Sequence, residues 1–311
     1  MTDSPGRVAV QVGRVRRYAE QRADQAVALT GRRLRTPLAV APFDGEPRIA
    51  MIVVNRNTTR YLKLLLATLA EQDHLMLLER LVIVDNGSRD GGVPFLGQLA
   101  TRCPRVELVE NRHRLNHARG IRSGLRRLDR LDRSLPEAQR ANLLLFVDSD
   151  VIFRDPDALR ALAATLIEHD AAFAGELRHF HPYPDAQASF FMVRRDVASR
   201  RDIEPWVNHG SPAYWMQRSI WEAELTVVDF PSNQGGFILH RGRSGVAAQR
   251  RWSPLGSYAS VLNDEAHYMG VPGGAEIWAE AEAQHASLLA PDGQGALLDL
   301  LAERFSRFGV D

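Results

Sequence analysis

The sequence predicts an α/β fold built on a mainly parallel central sheet with helices on both faces. Three observations predict it. Residues 49–55 (IAMIVVN), 81–85 (LVIVD), 106–110 (VELVE) and 143–147 (LLLFV) form short apolar runs rich in β-branched residues. Segments with apolar residues at helical spacing separate those runs. Each run also ends in polar residues, which a parallel sheet would carry to one edge. Strands buried on both faces read as unbroken apolar runs, and alternation with helices makes them parallel.

Taken in order, residues 1–46 read as a helical extension. Val8, Val12, Val15 and Tyr18 recur at helical spacing, with Arg14, Arg16, Arg17 and Arg22 between them. Such a helix either lies on anionic lipid or packs on the main domain or a second subunit. Pro37, Pro42, Gly45 and Pro47 break the pattern before the first strand. Residues 47–155 then alternate strand and helix, with helices expected over 60–72, 93–101 and 116–130. Residues 156–272 read as a second half of the same domain. They carry a helix over 156–169 with Asp155 as a plausible N-cap, strands over 171–177, 189–195, 225–230 and 236–240, and a helix over 212–223. Residues 273–311 are helix-rich.

Composition excludes several classes. The 311 residues are 45% hydrophobic and 25% charged, an ordinary globular balance, and the formal net charge is +1. That charge gives no drive toward nucleic acid. Of the 39 basic residues Lys63 is the only lysine, which reads as a coding bias. Cys103 is the only cysteine, so neither an intrachain disulfide nor a cysteine zinc cluster can form. The start of the chain lacks a charged segment followed by an apolar run, and no stretch is apolar enough to span a bilayer. A cytoplasmic protein is expected; peripheral membrane contact and a homo-oligomer both fit.

In an open α/β sheet, ligands bind outside the carboxyl ends of the strands. The four predicted strands end in Asn55-Arg56-Asn57, Asp85-Asn86-Gly87-Ser88, Glu110-Asn111-Arg112 and Asp148-Ser149-Asp150. Two carboxylates two residues apart at a strand end repel unless a cation lies near. A hard divalent ion satisfies both and leaves positions for phosphate oxygens and water. The alternative is a turn or helix cap. Asp85 can accept hydrogen bonds from a base or ribose, while Asn86-Gly87 supplies a turn; both can hold together.

IAMIVVNRN, LVIVDNGSRDGG, NRHRLNHARGIRSGL and LLLFVDSDVIF, in that order, resemble the nucleotide-sugar half of family-2 glycosyltransferases of the GT-A fold. The similarity covers residues 48–155 and continues more weakly to 245. It implies a GT-A fold and inverting transfer from a nucleotide diphosphate sugar, UDP-sugar favoured, to an acceptor hydroxyl with Mn²⁺ or Mg²⁺. Carried over, Asp85 resembles the base contact, Asp148 the ribose or metal contact, and Asp150 the direct metal ligand, with Ser149 between them. Asn55 and Asn57 resemble first-strand nucleotide contacts. Asn116 and Arg119 fall in the segment that lines the donor diphosphate or sugar. His240, before Arg241-Gly242-Arg243, resembles the late metal or diphosphate ligand; a buried or surface histidine with a basic turn is the plain alternative.

The general base is where the chain departs from that family. The stretch Trp206-Val207-Asn208-His209-Gly210-Ser211-Pro212 has no carboxylate. His209 has a suitable ordinary pKa for a base near neutral pH. It reads equally as a helix-start or acceptor-binding residue. Glu176, Asp202 and Glu204 are the other candidates. His179, His181 and Tyr183 read as an exposed loop, and Trp215 and Trp221 as core. A sugar-1-phosphate nucleotidyltransferase would need a Gly-rich loop after the first strand, and a Rossmann oxidoreductase G-x-G-x-x-G; neither is present. A non-catalytic sugar-nucleotide-binding scaffold stays open on the missing acidic base. Sugar, base and acceptor are not legible.

Overall fold

The computed structural model describes residues 5–33, 38, 42–43, 45–113, 115–179, 182–208, 212–247 and 266–306. The first half contains α1 (Pro5–Arg33), β1 (Ile49–Asn55), α2 (Thr59–Ala70), β2 (Leu78–Asp85), α3 (Val93–Arg102), β3 (Val106–Glu110), α4 (His117–Asp132), β4 (Leu143–Asp148) and β5 (Val151–Phe153). The second contains α5 (Ala158–Glu168), β6 (Phe173–Arg178), β7 (Asp185–Arg194), α6 (Arg195–Ser199), α7 (Tyr214–Glu222), β8 (Val227–Asp229), β9 (Ile238–His240) and α8 (Ser244–Ala247). Three helices follow: α9 (Gly274–Gln284), α10 (Ala286–Leu289) and α11 (Gln294–Ser306).

The fold is α/β. Its main sheet has the order β3-β2-β1-β4-β7-β6-β8. β3, β2, β1 and β4 are parallel; β7 is antiparallel to both β4 and β6; β8 is parallel to β6. β1 shows why its run is unbroken. Ile49, Met51 and Val53 enter one apolar core, with Leu62 and Leu65 of α2, Leu99 of α3, Leu162 of α5 and Leu301 of α11. Ala50, Ile52 and Val54 enter the other, with Ile121 and Leu128 of α4, Trp206, and Ile220 of α7. Strand side chains alternate between faces, so a strand covered on both sides must be apolar at every step.

Besides the short helices α6 and α8, which were not expected, three elements differ from expectation. β5 follows the Asp148-Ser149-Asp150 turn directly and was not expected; three residues give no readable period. β7 starts at Asp185 rather than 189, because its first residues alternate with polar ones. The residue flanking α5 is Asp157, not Asp155, and it makes no side-chain cap bond; the Asp155 carboxylate instead accepts from Asp157 N at 2.8 Å.

Where the side chains of α1 are described, Val15 and Tyr18 are exposed, while Asp24 and Ala28 are buried. Asp24 is held by hydrogen bonds and ion pairs, which apolar spacing does not reveal. Among the described residues no helix is long and apolar enough to cross a membrane.

Candidate active site

The Asp148-Ser149-Asp150 turn separates β4 from β5, and β5 pairs antiparallel with β9 so that Val151 faces His240. That pairing delivers the imidazole to the carboxylates. His240 Nε2 lies 3.3 Å from Asp150 Oδ1 and 3.7 Å from Asp148 Oδ2. One ligand atom from each of Asp148, Asp150 and His240 lies within 4.8 Å of the others. Two carboxylates and one imidazole are a donor set that Mn²⁺ or Mg²⁺ accepts, with nitrogen favouring Mn²⁺. Asp148 is the most open of the three, with 30% of its side chain exposed.

Charge is distributed unevenly over the trio. Burial would raise the Asp150 carboxyl, but the His240 charge and hydrogen bond, with those from Ser244, hold it well below the usual carboxylate range. Burial pushes Asp148 up, against the pull of His117 and His240. Burial opposes charge on His240, and the two aspartates overcome that and raise its pKa.

The strand ends around this trio are tied together. Asn55 Nδ2 donates to Asp85 Oδ1 at 3.0 Å and to Thr59 Oγ1 at 3.1 Å, and its Oδ1 accepts from Thr58 Oγ1 at 2.9 Å. Thr58 Oγ1 and Ser149 Oγ are 2.8 Å apart, which joins β1 to the metal-candidate turn. Asp85 Oδ2 accepts from Ser88 N at 3.0 Å. Asn57 has φ 54°, accepts from Arg89 N at 2.6 Å, and lines a cavity of about 740 Å³ with Tyr61, Lys63, Phe95 and Gln294. In that cavity Lys63 Nζ sits 4.8 Å from the Phe95 ring centre, and burial lowers its amine pKa.

Asn116 and Arg119 are engaged locally. Asn116 Oδ1 accepts from Arg119 N at 2.8 Å and caps α4; Arg119 Nε donates to Asp24 at 2.7 Å. Glu176 Oε2 accepts from Ser232 Oγ at 3.1 Å and from Asn233 N and Nδ2 at 2.5 and 3.1 Å. Asn233 Oδ1 in turn accepts from His240 N at 2.9 Å. His209 and His181 lie outside the described residues. Asp202 pairs with Arg200 on the surface, and Glu204 accepts from Gln25.

Two histidines beside the trio have no motif to mark them. His117 opens α4 and puts Nε2 3.8 Å from Asp148 Oδ1. The His267 ring centre is 5.9 Å from that of His240. The close approach of His267 needs Gly242, since a Cβ there would lie 2.3 Å from His267 Nε2. The one legible signal for His117 was its place next to Asn116, at the start of a helix after a strand.

Residues 47–228, more than half the chain, match the family described as glycosyltransferase-like family 2. The chain belongs to that family. This family-2 glycosyltransferase therefore carries its mostly parallel sheet as a GT-A fold. No curated protein matches it in sequence. Among solved structures it is similar to residues 1–349 of S. aureus TarS, at 17% identity and TM-score 0.43, over 59% of this chain and 58% of that one. It is also similar to TarS 1–349 in complex with UDP-GlcNAc, at 16% identity and TM-score 0.45, over 59% and 56%. The mannosyltransferase PcManGT from Pyrobaculum calidifontis, in complex with GDP-Man and Mn²⁺, is similar at 15% identity and TM-score 0.45, over 96% of this chain and 98% of that one. The match thus spans little more than half of the TarS fragment.

Proposed function

We infer that this glycosyltransferase moves a sugar from a nucleotide diphosphate sugar, with UDP-sugar the favoured donor, to an acceptor hydroxyl with inversion. The observation that carries the reading is the convergence of Asp148, Asp150 and His240 at the end of β4, the edge where an α/β sheet binds ligands. Asp150 and His240, with Asp148, would hold Mn²⁺ or Mg²⁺. Such an ion supplies charge neutralisation for a departing diphosphate. Asp85, Asn55 and Asn57 lie at the neighbouring ends of β2 and β1 and suit the nucleotide; Ser149 fixes the turn against Thr58.

Glu176 is oriented by three donors on one oxygen and is coupled through Asn233 to the strand that carries His240. It suits a base that takes the acceptor proton; His209 is the second candidate for that role. The cytoplasmic location, any membrane contact and the oligomeric state stay with the sequence expectations, as does the division at residues 46, 155 and 272.

The test is a thermal-shift screen of UDP- and GDP-sugars with and without Mn²⁺, followed by turnover of whichever donor stabilises the protein. Asp150→Ala should lose the Mn²⁺-dependent shift and transfer. Near-normal turnover in Asp150→Ala would rule out the metal assignment. The absence of a carboxylate from residues 206–212 favours a second reading, a sugar-nucleotide-binding scaffold. Slow donor hydrolysis by the wild type separates the enzyme from the scaffold.

A further inference from the structure

One carboxylate outside the reaction centre is wired to its wall. Asp24 lies on α1, far in sequence from every motif, and its side chain is 1% exposed. Its Oδ1 accepts from Arg119 Nε at 2.7 Å and from an Arg122 terminal nitrogen at 2.8 Å. Its Oδ2 accepts from the other Arg122 terminal nitrogen at 3.0 Å and from Asn208 N at 2.9 Å. Arg122 also donates to the Trp206 carbonyl at 2.5 Å. A single side chain therefore joins three segments: α1, the first turns of α4, and residues 206–208, which precede His209, the second candidate base, in sequence.

Both partners of Asp24 reach the site. α4 begins at His117, whose Nε2 is 3.8 Å from Asp148 Oδ1. The Trp206 ring centre lies 6.2 Å from that of His117 and 4.7 Å from that of Phe146, two residues before Asp148. A second contact, Gln25 Nε2 to Glu204 Oε2 at 3.3 Å, holds the same segment to the same helix. Among the α1 residues whose side chains are described, 15 and 18–31, the buried ones are Ala28 and this carboxylate. Charge-assisted bonds from a planar guanidinium fix direction as well as distance.

We propose that Asp24 is a positioning residue for transfer: it fixes the 206–208 segment and the start of α4 so that the acceptor-side wall is held against the Asp148 edge. The proposal rests on the glycosyltransferase reading. It assigns α1 a part in the reaction without contact to the metal trio, so metal binding and turnover should separate.

The experiment compares the full-length wild type, Asp24→Asn and, as control, Asp150→Ala. Three quantities are read: Mn²⁺ affinity by calorimetry, kcat and KM for UDP or GDP release from the sugar panel, and amide hydrogen exchange over residues 204–208 with and without UDP and Mn²⁺. In Asp24→Asn, kcat should fall on the order of 10- to 100-fold, the scale of a small misplacement at a reacting centre. Mn²⁺ affinity should stay within about twofold, while exchange at 204–208 rises about tenfold. In the wild type, UDP with Mn²⁺ should slow exchange at 204–208; in Asp24→Asn it should not. Should Asp24→Asn fail to fold, Arg122→Gln, which leaves Arg119 on the carboxylate, should give the same pattern with a smaller fold-change.

Unchanged kcat with raised exchange would make Asp24 a packing clip and overturn the proposal. So would exchange at 204–208 that is indifferent to UDP and Mn²⁺ in the wild type. Failure of the glycosyltransferase reading looks different: no donor releases nucleotide in the wild type, and Asp150→Ala leaves Mn²⁺ affinity unchanged.

Discussion

Asp24 and Asp150 are both buried carboxylates, and their surroundings depress both in the same way. For Asp24, burial alone would raise the carboxyl; hydrogen bonds from Arg122, Arg119 and the Asn208 amide overcome it and hold the group well below its usual range. A carboxylate whose folded pKa is depressed stabilises the fold fully above its unfolded pKa. That contribution is lost as the pH falls toward the folded value. Asp24→Asn should therefore melt lower than the wild type at pH 7, by about 3 kcal/mol, the low end for breaking a buried pair because Arg119 is half-exposed. The gap between the two melting curves should begin to narrow only below about pH 4, the unfolded carboxylate's value, and close only as the pH approaches the depressed folded value; a gap that widens on acidification would contradict it. Cys103 is the opposite case. Burial pushes its thiol up to about 11, so it should resist thiol reagents in the folded protein and react only on unfolding, as a colorimetric thiol assay would show.

At the scale of elements, β6 and β7 depend on one small residue. A Cβ on Gly175 would lie 2.7 Å from Phe191 Cβ and 2.8 Å from Ala186 Cβ, at the point where the register of this pair shifts. Gly175→Ala should cost about 1–3 kcal/mol as overpacking, read as a lower denaturant midpoint with an unchanged slope. Glu176, the next residue, should lose its bond to Asn233 N in the same variant, visible as a shift of that amide in NMR. How far the elements were legible follows from their length and burial. β1, β2, β3 and β4 are continuously apolar, and the sequence reading found each within a few residues. β5 has three residues, too few to show a period, and was missed; β8 and β9, also three residues each, lie inside the longer strands expected over 225–230 and 236–240, and β5 with β9 brings His240 to the aspartates. His240 was legible from its strand-end position. His117 and His267 were not, because a helix start and a positive-φ turn at Gly242 and Arg243 place them. The contact of α1 through Asp24 was not legible for a related reason: hydrophobic periodicity marks apolar positions, whereas this contact is a salt-bridged aspartate.

Across the whole molecule, the last helix belongs to the first core. Leu297, Leu298, Leu301 and Phe305 of α11 share one apolar cluster with β1, α2 and α3. Leu301→Ala should destabilise by about 2–5 kcal/mol and lower the single melting transition of the entire chain, not a separate late one. Two resolved transitions in a calorimeter would show that α11 unfolds by itself. The Lys63 cavity counts Gln294 of α11 and Asn57 beside β1 among its lining residues, and Lys63 Nζ donates to Gln294 Oε1 at 3.2 Å. Because every other basic side chain is arginine or histidine, the chain offers one ε-amine to an acylating dye, and burial, by lowering its pKa, leaves more of that amine unprotonated than an ordinary lysine at mildly alkaline pH. A fluorophore attached there would be a built-in reporter at the junction of the carboxyl-terminal helices and the sheet, brightening or dimming as a ligand fills the space by Asn57, without any engineered label site.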